Sequence, residues 1–374
     1  MRIENVNVFC EDGAFRRGAV EFEDLISGVE VDGEEVRRNP DGDLFLIPGL
    51  VDIHTHGAVY GDHSDGSPEL MQDMGAFYAK NGVTSFLATT MTYKEEKLAA
   101  AMQNISQYRR RQNGARCLGI NMEGPFLSFE KKGAHAPEWL TPPDIPLLER
   151  LNTVSGNCIR IVSVAPEVPG AIEFIQKASQ VCKVALAHSA SDYDAAMEAF
   201  RSGATNVTHL FNAMNPFSHR DPGMVGAAMD ARAYVEIISD GIHLHPSVVR
   251  AVFNMFPDRV CLISDSIRSA GLPDGAYESG GMPIFVKDGK ATLEGGTIAG
   301  SNVSLMQCVR TAATFGVPLE KAVAAATANN ARTIGMEGRL GSLTPGAYAD
   351  MALLDGDLNI QKVYIGGSEI SLST

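Results

Sequence analysis

The sequence predicts an α/β fold, a (β/α)8 barrel of the TIM type with a small β-sandwich domain formed by both chain ends. From Pro48 onward, short apolar runs alternate with amphipathic, helix-like stretches, a pattern typical of a parallel sheet. Eight such runs can be counted over about 290 residues, which fits a barrel of ~250 residues with insertions. Both chain ends have β character instead, which indicates a separate small domain.

Each of the eight apolar runs has four to seven residues, a length typical of buried strands. The predicted strands are 50–56, 85–90, 117–123, 159–165, 183–188, 206–209, 234–239 and 260–265. The stretches between them predict helices at 68–81, 94–113, 143–154, 170–179, 193–202 and 246–256. Two further helices, at 304–315 and 319–335, are predicted after the eighth strand.

The two chain ends are each too short to fold alone. Near the N-terminus, Asp-Gly and Gly turns separate short β segments at 6–9, 19–22, 28–31 and 44–47. After Gly338 the predicted strands are 349–355 and 362–365. We therefore predict that residues 1–47 and 339–374 pair into one small β domain, and that residues 48–338 form the barrel.

The composition excludes several classes of protein. With 45% hydrophobic and 20% charged residues, the 374-residue chain is unlike a disordered, collagen-like, coiled-coil or disulfide-scaffold protein. Its 31 basic and 45 acidic residues give a net charge of −14, and the longest basic run is the three residues 109–111, with pairs at 16–17, 37–38 and 131–132. We therefore expect no binding to nucleic acid or to an anionic membrane.

The cysteines and the N-terminus predict a cytoplasmic protein. Six cysteines are scattered without a C-x-x-C pair, which favours reduced thiols. The N-terminal segment lacks the basic and apolar regions of a signal peptide. No uninterrupted apolar stretch approaches the ~18 residues of a transmembrane helix, so we expect no membrane span.

Residues that bind metals or transfer protons stand at the ends of the predicted strands, where barrels of this type carry their active sites. They are His54 and His56 on strand 1, Glu123 on strand 3, His188 on strand 5, His209 on strand 6 and Asp265 on strand 8. Strand alternation places the first two on one face. Four imidazoles and two carboxylates on one rim suit Zn²⁺ or a similar first-row divalent ion.

Each of these residues has another explanation when taken alone. A single His-x-His pair is weak evidence, and His188 could be a satisfied core histidine. Glu123 could close a loop, and Asp265 could be the N-cap of the next turn. Their coincidence at the ends of separate predicted strands favours a metal site.

The remaining histidines divide into two groups. His135 lies in a glycine-containing loop after strand 3 and His243 lies just beyond strand 7, so both are predicted to contact substrate. For His63, His219 and His245 we expect surface positions. The chain has no complete phosphate loop, dinucleotide fingerprint, H-E-x-x-H or G-x-S-x-G motif that would indicate a competing site.

Several segments resemble known sequences. The segment PGLVDIHTHG at 48–57 resembles strand 1 of the amidohydrolase superfamily. Within it, the chain resembles the N-acetylglucosamine-6-phosphate deacetylase family through segments that run nearly end to end. These are EGPF at 123–126, KKGAH at 131–135, AHS at 187–189, THLFNAM at 208–214, DGIH at 240–243, AGLPDG at 270–275, GTIAGS at 296–301 and GAYAD at 346–350.

The resemblance implies a reaction and a role for each matching residue. The reaction is hydrolysis of the acetamide of N-acetylglucosamine-6-phosphate to glucosamine-6-phosphate and acetate by metal-activated water. Glu123, His188 and His209 would bind the principal metal, and Asp265 would be the general acid/base. His135 would contact both the sugar and the reacting amide, where it would stabilise the oxyanion, and Arg220 would hold the phosphate. Further substrate contacts would come from Ala134, Asn212, Ala213, His243, Ile298, Ala299 and Gly300.

The resemblance also bears on the cofactor and on assembly. Some family members have neutral residues in place of His54 and His56 and use one metal, whereas this chain keeps both histidines, which is compatible with a second ion bridged by Glu123. We therefore expect one or two divalent ions per subunit, with Zn²⁺ first and Fe, Mn, Co or Ni as alternatives. The partner is a small phosphorylated amino sugar, and the resemblance implies a homodimer.

Two segments depart from the family pattern. Ser266-Ile267-Arg268 follows Asp265 where small or apolar residues are usual, and Asn329-Asn330 stands where Asn-Pro is common. A charged residue beside the catalytic Asp could change specificity or turnover. Neither segment contains a ligand, so we expect the reaction class to hold.

Three other functions stay open at this point. The substrate could be the galactosamine epimer, because the two sugars differ at one hydroxyl. The site could serve another amidohydrolase reaction, although Glu123 argues against cyclic-amide hydrolysis, whose enzymes commonly have a carboxylated lysine as bridging ligand. The barrel could also be an inactive scaffold or sugar-phosphate sensor, against which the complete ligand set argues.

Overall fold

A computed structural model describes residues 1–36, 42–111 and 114–372 of the chain. Its strands in chain order are β1 (Arg2–Phe9), β2 (Phe15–Phe22), β3 (Ile26–Glu35), β4 (Phe45–Pro48), β5 (Leu50–Thr55), β6 (Gly57–Ala58), β7 (Gly61–Asp62), β8 (Val83–Thr90), β9 (Arg116–Met122), β10 (Ile159–Val164), β11 (Lys183–Leu186), β12 (Asn206–Val207), β13 (Tyr234–Ile238), β14 (Val260–Ile263), β15 (Gly275–Ser279), β16 (Met282–Lys287), β17 (Lys290–Thr292), β18 (Met351–Leu354), β19 (Ile360–Ile365) and β20 (Ser368–Glu369). Its α-helices are α1 (Pro68–Lys80), α2 (Glu95–Arg111), α3 (Ile145–Val154), α4 (Ala171–Ala178), α5 (Tyr193–Arg201), α6 (Gly223–Asp230), α7 (Pro246–Met255), α8 (Leu305–Thr314), α9 (Leu319–Ala326) and α10 (Ala328–Thr333), with a short 3-10 helix at Pro137–Trp139.

The eight strands predicted for the barrel all form and confirm the predicted α/β class. They make one parallel sheet in the order β14-β13-β12-β11-β10-β9-β8-β5, nearly closed into a barrel. Several of them are buried along their whole length, as in β8, because helices cover the outside of the sheet and side chains fill its interior. The carboxyl ends of all eight strands therefore meet at one rim.

The first and last strands of the barrel are joined through a side chain of α10. The Asn330 Nδ2 group donates hydrogen bonds to the backbone oxygen of Val51 on β5, at 2.6 Å, and to that of Leu262 on β14, at 2.8 Å. Nearer the rim, the Asp265 amide donates to the His54 carbonyl at 2.9 Å. The departure from the family pattern at Asn330 thus places an amide donor at the seam of the barrel.

The chain ends form a separate sheet of seven strands in the order β20-β19-β18-β4-β1-β2-β3. Its side chains alternate between two apolar layers, as expected of a sheet that is covered on both faces. Val8 and Leu46 point into a core of its own, whereas Phe45 and Ile47 pack against the barrel core. This sheet holds the beginning and the end of the barrel chain together, since β4 pairs with β18.

Three elements differ from the sequence expectations. The stretch predicted as one helix at 319–335 breaks at Thr327, whose φ of −133° is not helical and whose hydroxyl donates to the Val323 carbonyl, so α9 and α10 are separate. Helix α6 was not predicted because its residues are mostly buried and lack an amphipathic pattern. The small sheet β15-β16-β17, inserted after the eighth barrel strand, was not predicted either.

His63 is buried, so the expectation of a surface position is wrong. Its ring stacks on Phe86 with centroids 5.4 Å apart, and its Nε2 lies 3.2 Å from the Tyr78 hydroxyl. The short β6-β7 hairpin carries it under the rim, where burial lowers the pKa of His63 to about 3. The expectation is met for His219 and His245, which are exposed.

All six cysteines are free thiols in the structure. Over residues 1–36, 42–111 and 114–372, no helix combines the length and the apolar character needed to cross a membrane.

Replacing Asn330 with Ala should weaken the closure of the barrel. The substitution removes two hydrogen bonds to buried carbonyls, and we expect the free energy of unfolding to fall by about 2–4 kcal/mol in urea denaturation. Asn254→Ala on the exposed side of α7 is the control and should change stability by no more than about 0.5 kcal/mol. An equally small effect of Asn330→Ala would contradict a closing role.

The burial of His63 predicts that the folded protein loses stability in acid. In the unfolded chain a histidine has a pKa of about 6.5, whereas burial holds the pKa of His63 at about 3. Below pH ~6.5 the unfolded chain therefore binds a proton that the folded chain does not. As the pH falls below ~6.5, this group alone should lower the free energy of unfolding by about 1.4 kcal/mol per pH unit. Above pH ~6.5 this loss is absent, and the stability that depends on a neutral His63 is fully present.

The measurement is urea denaturation between pH 7 and pH 5. His63→Gln should give a shallower loss of stability over this range than the unchanged protein. His219→Gln, at an exposed position, should leave the slope as it is. Equal slopes for all three proteins would show that His63 is accessible to protons in the folded state.

Candidate metal-dependent active site

The structure brings together all six residues predicted at the strand ends. They are His54 in β5, His56 just after it, Glu123 directly after β9, His188 after β11, His209 after β12 and Asp265 after β14. All six side chains are almost completely buried. The parallel sheet therefore collects residues that are far apart in sequence at one point of its rim.

The backbone turns sharply where three of these residues leave their strands. His188, His209 and Asp265 have positive φ values of 44°, 28° and 48°, a region that residues other than glycine rarely adopt. Such conformations persist only where the surrounding structure enforces them, and they are concentrated at functional sites. Sequence patterns gave no sign of these turns.

Glu123 lies between two pairs of histidines and uses one carboxylate oxygen for each pair. Its Oε1 is 3.3 Å from His188 Nε2 and 3.2 Å from His209 Nε2. Its Oε2 is 3.1 Å from His56 Nε2 and 3.6 Å from His54 Nε2. Each oxygen of the carboxylate thus faces one pair of imidazoles.

Asp265 belongs to the side of the strand-1 histidines. Its Oδ1 lies 3.3 Å from His56 Nε2 and 3.5 Å from His54 Nε2. On the other side of Glu123, His188 and His209 face each other with their Nε2 atoms 3.1 Å apart. The site therefore has two halves that share Glu123.

The donor atoms fit divalent cations. His188 Nδ1 lies 2.8 Å from the Lys131 carbonyl, which can only accept, so the ring's proton is on Nδ1 and the Nε2 lone pair faces the Glu123 oxygen. Two such electron-rich atoms repel each other unless a cation lies between them. Imidazole nitrogens with a carboxylate are the ligand set of zinc and similar metals, and the outward ring nitrogen commonly donates to a carbonyl or carboxylate.

The electrostatics of the cluster also favour positive charge. Burial alone would lower the pKa of His56, but hydrogen bonds to Asp265 and Glu123 raise it to about 9. Conversely, burial would raise the pKa of Asp265, but the neighbouring His54 and His56 lower it to about 2. The pKa of Glu123 lies well below its usual range, for although burial opposes ionisation, the charge of His54 and the surrounding imidazole hydrogen bonds outweigh it. Metal ions would take the place of the protons on such rings.

A cavity of about 440 Å³ opens above this cluster. That volume lies within the range of small-molecule sites. It is lined by eight of the nine residues predicted to contact substrate: Ala134, His135, Asn212, Ala213, His243, Ile298, Ala299 and Gly300. His56, Glu123, His188, His209 and Asp265 also line it, whereas His54 lies beneath.

His135 is held as a hydrogen-bond donor. Its Nδ1 accepts the Thr92 amide proton at 3.3 Å and lies 2.8 Å from the Thr92 hydroxyl. Since Nδ1 accepts, the neutral ring carries its proton on Nε2, which lies 3.4 Å from Glu123 Oε2. Burial, partly opposed by Glu123, lowers the pKa of His135 to about 4, so the ring is neutral near pH 7.

His243 is oriented by a neighbour in its own loop. Asp240 accepts hydrogen bonds from the amides of Ile242 and His243 and lies 2.7 Å from His243 Nδ1. Burial opposes ionisation of Asp240, but the contact with His243 outweighs it and lowers the pKa of the carboxyl. The sequence placed Asp240 in the matching segment without indicating this orienting role.

Gly300 packs directly against the loop that carries Asp265. Its φ is +57°, and a Cβ atom there would lie 2.6 Å from Ile267 Cγ2 and 2.9 Å from the Asp265 carbonyl oxygen. The next residue, Ser301, donates its amide to that carbonyl at 2.7 Å. The absence of a side chain at Gly300 is therefore what allows the two loops to meet.

Arg220 is the one predicted substrate contact that the chain does not bring to the cavity. It lies exposed in the loop before α6, with Nη1 2.6 Å from His219 Nε2. The cationic side chains that line the cavity are those of Lys131 and Lys132, which the sequence placed in a matching segment without assigning them a contact.

The segment after Asp265 does not place its charge in the cavity. Ser266 is buried, and its hydroxyl donates to the Gly57 carbonyl at 2.8 Å. Ile267 lines the cavity with an apolar side chain, whereas Arg268 turns to Asp65, 3.0 Å away. The side chain that faces the cavity next to Asp265 is therefore apolar.

Sequence reasoning missed Glu236, which lies in β13 beside the histidine cluster. Its Oε2 is 2.9 Å from His54 Nδ1, and both side chains are completely buried. A single acidic residue inside an otherwise apolar predicted strand was the available signal. Such a residue is rarely buried without a partner.

Comparison with known proteins identifies the class. Residues 45–370 match the amidohydrolase family, so the chain belongs to that family. Its histidine–glutamate cluster is accordingly a divalent-metal site.

The similar proteins are more specific than the family. The chain is 33% identical to N-acetylglucosamine-6-phosphate deacetylase of Bacillus subtilis (strain 168), covering 96% of this chain and 94% of that protein. It is 36% identical to N-acetylgalactosamine-6-phosphate deacetylase of Escherichia coli O157:H7, covering 86% of each. A solved mutant of N-acetyl-D-glucosamine-6-phosphate deacetylase from Mycobacterium smegmatis, in complex with N-acetyl-D-glucosamine-6-phosphate, matches with a TM-score of 0.92, 31% identity and 99% of both chains.

Proposed function

We propose that this chain hydrolyses the acetamide of N-acetylglucosamine-6-phosphate to glucosamine-6-phosphate and acetate. The observation that carries the proposal is the match over 99% of both chains to a deacetylase solved with that sugar phosphate. The cavity beside the metal cluster supports it, because its walls come from the loops that resemble the deacetylase family. The match to the solved deacetylase and the complete ligand set argue against an inactive scaffold.

An amide is a weak electrophile, and its amine is a poor leaving group. When bound at Glu123 and the surrounding histidines, a divalent cation lowers the pKa of a water molecule and polarises a carbonyl oxygen. Asp265, which its neighbours keep ionised, accepts a proton from the attacking water. It then delivers that proton to the amide nitrogen as the C–N bond breaks, while the new C–O bond remains in acetate.

His135 acts on the other charge that develops in the reaction. Its neutral ring presents an N–H group from Nε2, because Thr92 occupies Nδ1. In the proposed reaction this donor stabilises the oxyanion of the tetrahedral intermediate and also contacts the sugar. Removing one such donor typically lowers turnover by on the order of 10²–10³.

We propose Zn²⁺ as the cation and two ions per chain. The two halves around Glu123 each offer imidazole nitrogens and a carboxylate oxygen, and these donors suit zinc. Fe, Mn, Co and Ni accept the same donors and are the alternatives.

A specific observation favours a second candidate substrate. The relative with 36% identity is named for the galactosamine epimer, and its coverage of the chain is 86%. The chemistry at the amide is the same for both epimers. The difference lies in how the cavity wall contacts one hydroxyl of the sugar.

We also propose a cytoplasmic homodimer in which Arg220 binds the substrate phosphate. In the single chain Arg220 is exposed and separate from the cavity, so this role requires a neighbouring subunit or movement of its loop. Lys131 and Lys132 supply local positive charge at the cavity within one chain. A local cationic site of this kind can bind a phosphate although the whole protein carries a charge of −14.

The function is tested by acetate release from N-acetylglucosamine-6-phosphate, with the galactosamine epimer in parallel. We expect release that stops on addition of a chelator and returns with Zn²⁺. In Asp265→Asn the general base is lost, and we expect kcat to fall by at least about 10²-fold.

Each other outcome of this experiment has a distinct meaning. A preference for the galactosamine epimer would select the second candidate. No release from either sugar, with metal bound, would contradict both candidate substrates. Asp265→Asn turning over at the normal rate would exclude the proposed general base.

Arg220→Ala tests the proposed phosphate contact. Loss of a charge-assisted, bidentate contact should raise KM for the phosphorylated sugar by about 10- to 100-fold and leave kcat/KM for unphosphorylated N-acetylglucosamine unchanged. Arg201→Ala, at an exposed position on α5, is the matched control and should change neither. An equal loss with both substrates would assign Arg220 a structural role.

A further inference from the structure

Glu236 is a completely buried carboxylate in β13 that is not among the residues placed around the cations so far. Its Oε2 lies 2.9 Å from Nδ1 of His54, whose side chain is also fully buried. Its Oε1 has no hydrogen-bond partner among the residues that the structure describes. Burial of a carboxylate is unfavourable unless it is compensated, so this contact with His54 requires an explanation.

The contact fixes which nitrogen of His54 is available to a cation. When His54 Nδ1–H donates to Glu236, the lone pair of the ring is left on Nε2. That atom is 3.6 Å from Glu123 Oε2 and 3.3 Å from His56 Nε2. Glu236 therefore directs the electron pair of His54 into the cluster.

The same contact also sets the orientation of the ring. β13 and β5 are not neighbours in the sheet, because β14 lies between them where the barrel closes. The bond from His54 to Glu236 therefore crosses the barrel interior. His56, in contrast, has no partner for its Nδ1 among the described residues, so Glu236 holds only one member of the strand-1 pair.

The two halves of the site are supported in different ways. In the half that contains His188, the outward nitrogen donates to the backbone carbonyl of Lys131. A side-chain substitution leaves that carbonyl in place. In the half that contains His54, the outward nitrogen donates to a side chain, which a substitution can remove.

We propose that Glu236 is a positioning residue for His54, and that it sets the affinity of the cation held on the His54, His56 and Asp265 side of Glu123. The cation held by His188 and His209 does not depend on it. The inference rests on the divalent-metal site of the family and not on which amide the enzyme hydrolyses.

The test is a Co²⁺ titration of the metal-free full-length protein, followed by its visible absorption and by metal analysis. The unchanged protein should bind two ions per chain with two dissociation constants. Glu236→Leu should weaken one of them by about 100-fold and Glu236→Gln by about 10-fold, since Gln retains an acceptor oxygen; changes at such supporting residues typically cost 10- to 100-fold. The other constant should stay within about twofold.

Val235→Ala is the matched structural control. Val235 is buried on the same strand in the main apolar core, so its truncation lowers the melting temperature without touching the cluster. Both dissociation constants should be unchanged in it. If Val235→Ala weakened the same constant as much as Glu236→Leu, general loosening of the strand would explain the effect and the proposal would be wrong.

The metal-free variants are compared by circular dichroism before titration. If Glu236→Leu does not fold, the test uses Glu236→Gln alone. Weakening of one of its two dissociation constants would then support the proposal. Two unchanged constants, two constants weakened equally, or a single bound ion in the unchanged protein would each overturn the proposal. Because the readout is metal binding, loss of the proposed deacetylase activity alone would leave the result unaffected.

Discussion

The site depends on one carboxylate that faces two pairs of imidazoles. Glu123 places its two oxygens within 3.1–3.6 Å of the Nε2 atoms of both pairs, and neither pair is arranged to be stable without positive charge between its members. A barrel meets this demand because its parallel strands end at one rim, so that residues separated by more than 200 positions converge. The buried strands, the left-handed turns at their ends and the seam at Asn330 all serve to hold those ends in register.

The remainder of the site separates chemistry from recognition. The histidine–glutamate cluster and Asp265 stand in or directly after barrel strands, whereas the cavity walls come from loops and from the inserted β15-β16-β17 sheet. Ser279 and Ile284 from that sheet line the same cavity as His135 and Asn212 from the strand loops. The cavity is thus lined by segments of a kind that varies in length and sequence more freely than strands, as is usual for barrels of this type.

Much of this arrangement could be predicted from the sequence, and the limits have physical causes. All eight barrel strands and the six clustered residues follow from local apolar runs with polar ends, because periodicity is a local signal. The position of Glu236 depends instead on a contact between distant strands, and that of His63 on how α1 and β8 pack around it. The break at Thr327 depends on its hydroxyl bond to Val323, and helix α6 has no polar face to reveal it. Arg220 could be assigned to a loop, but the loop's path is not encoded by a pattern.

The pairing of β4 with β18 has a consequence for how the molecule is made. Pro48 lies two residues before the first barrel strand and is paired with Met351, so a loop that contains the whole barrel closes at this contact. Contacts between such distant positions form late and slowly, because the entropy of a long loop must be lost first. On a ribosome, His54 and Glu123 would emerge long before the strands that complete their surroundings. During synthesis these residues therefore remain without the enclosure of the finished barrel until its last strands have been made.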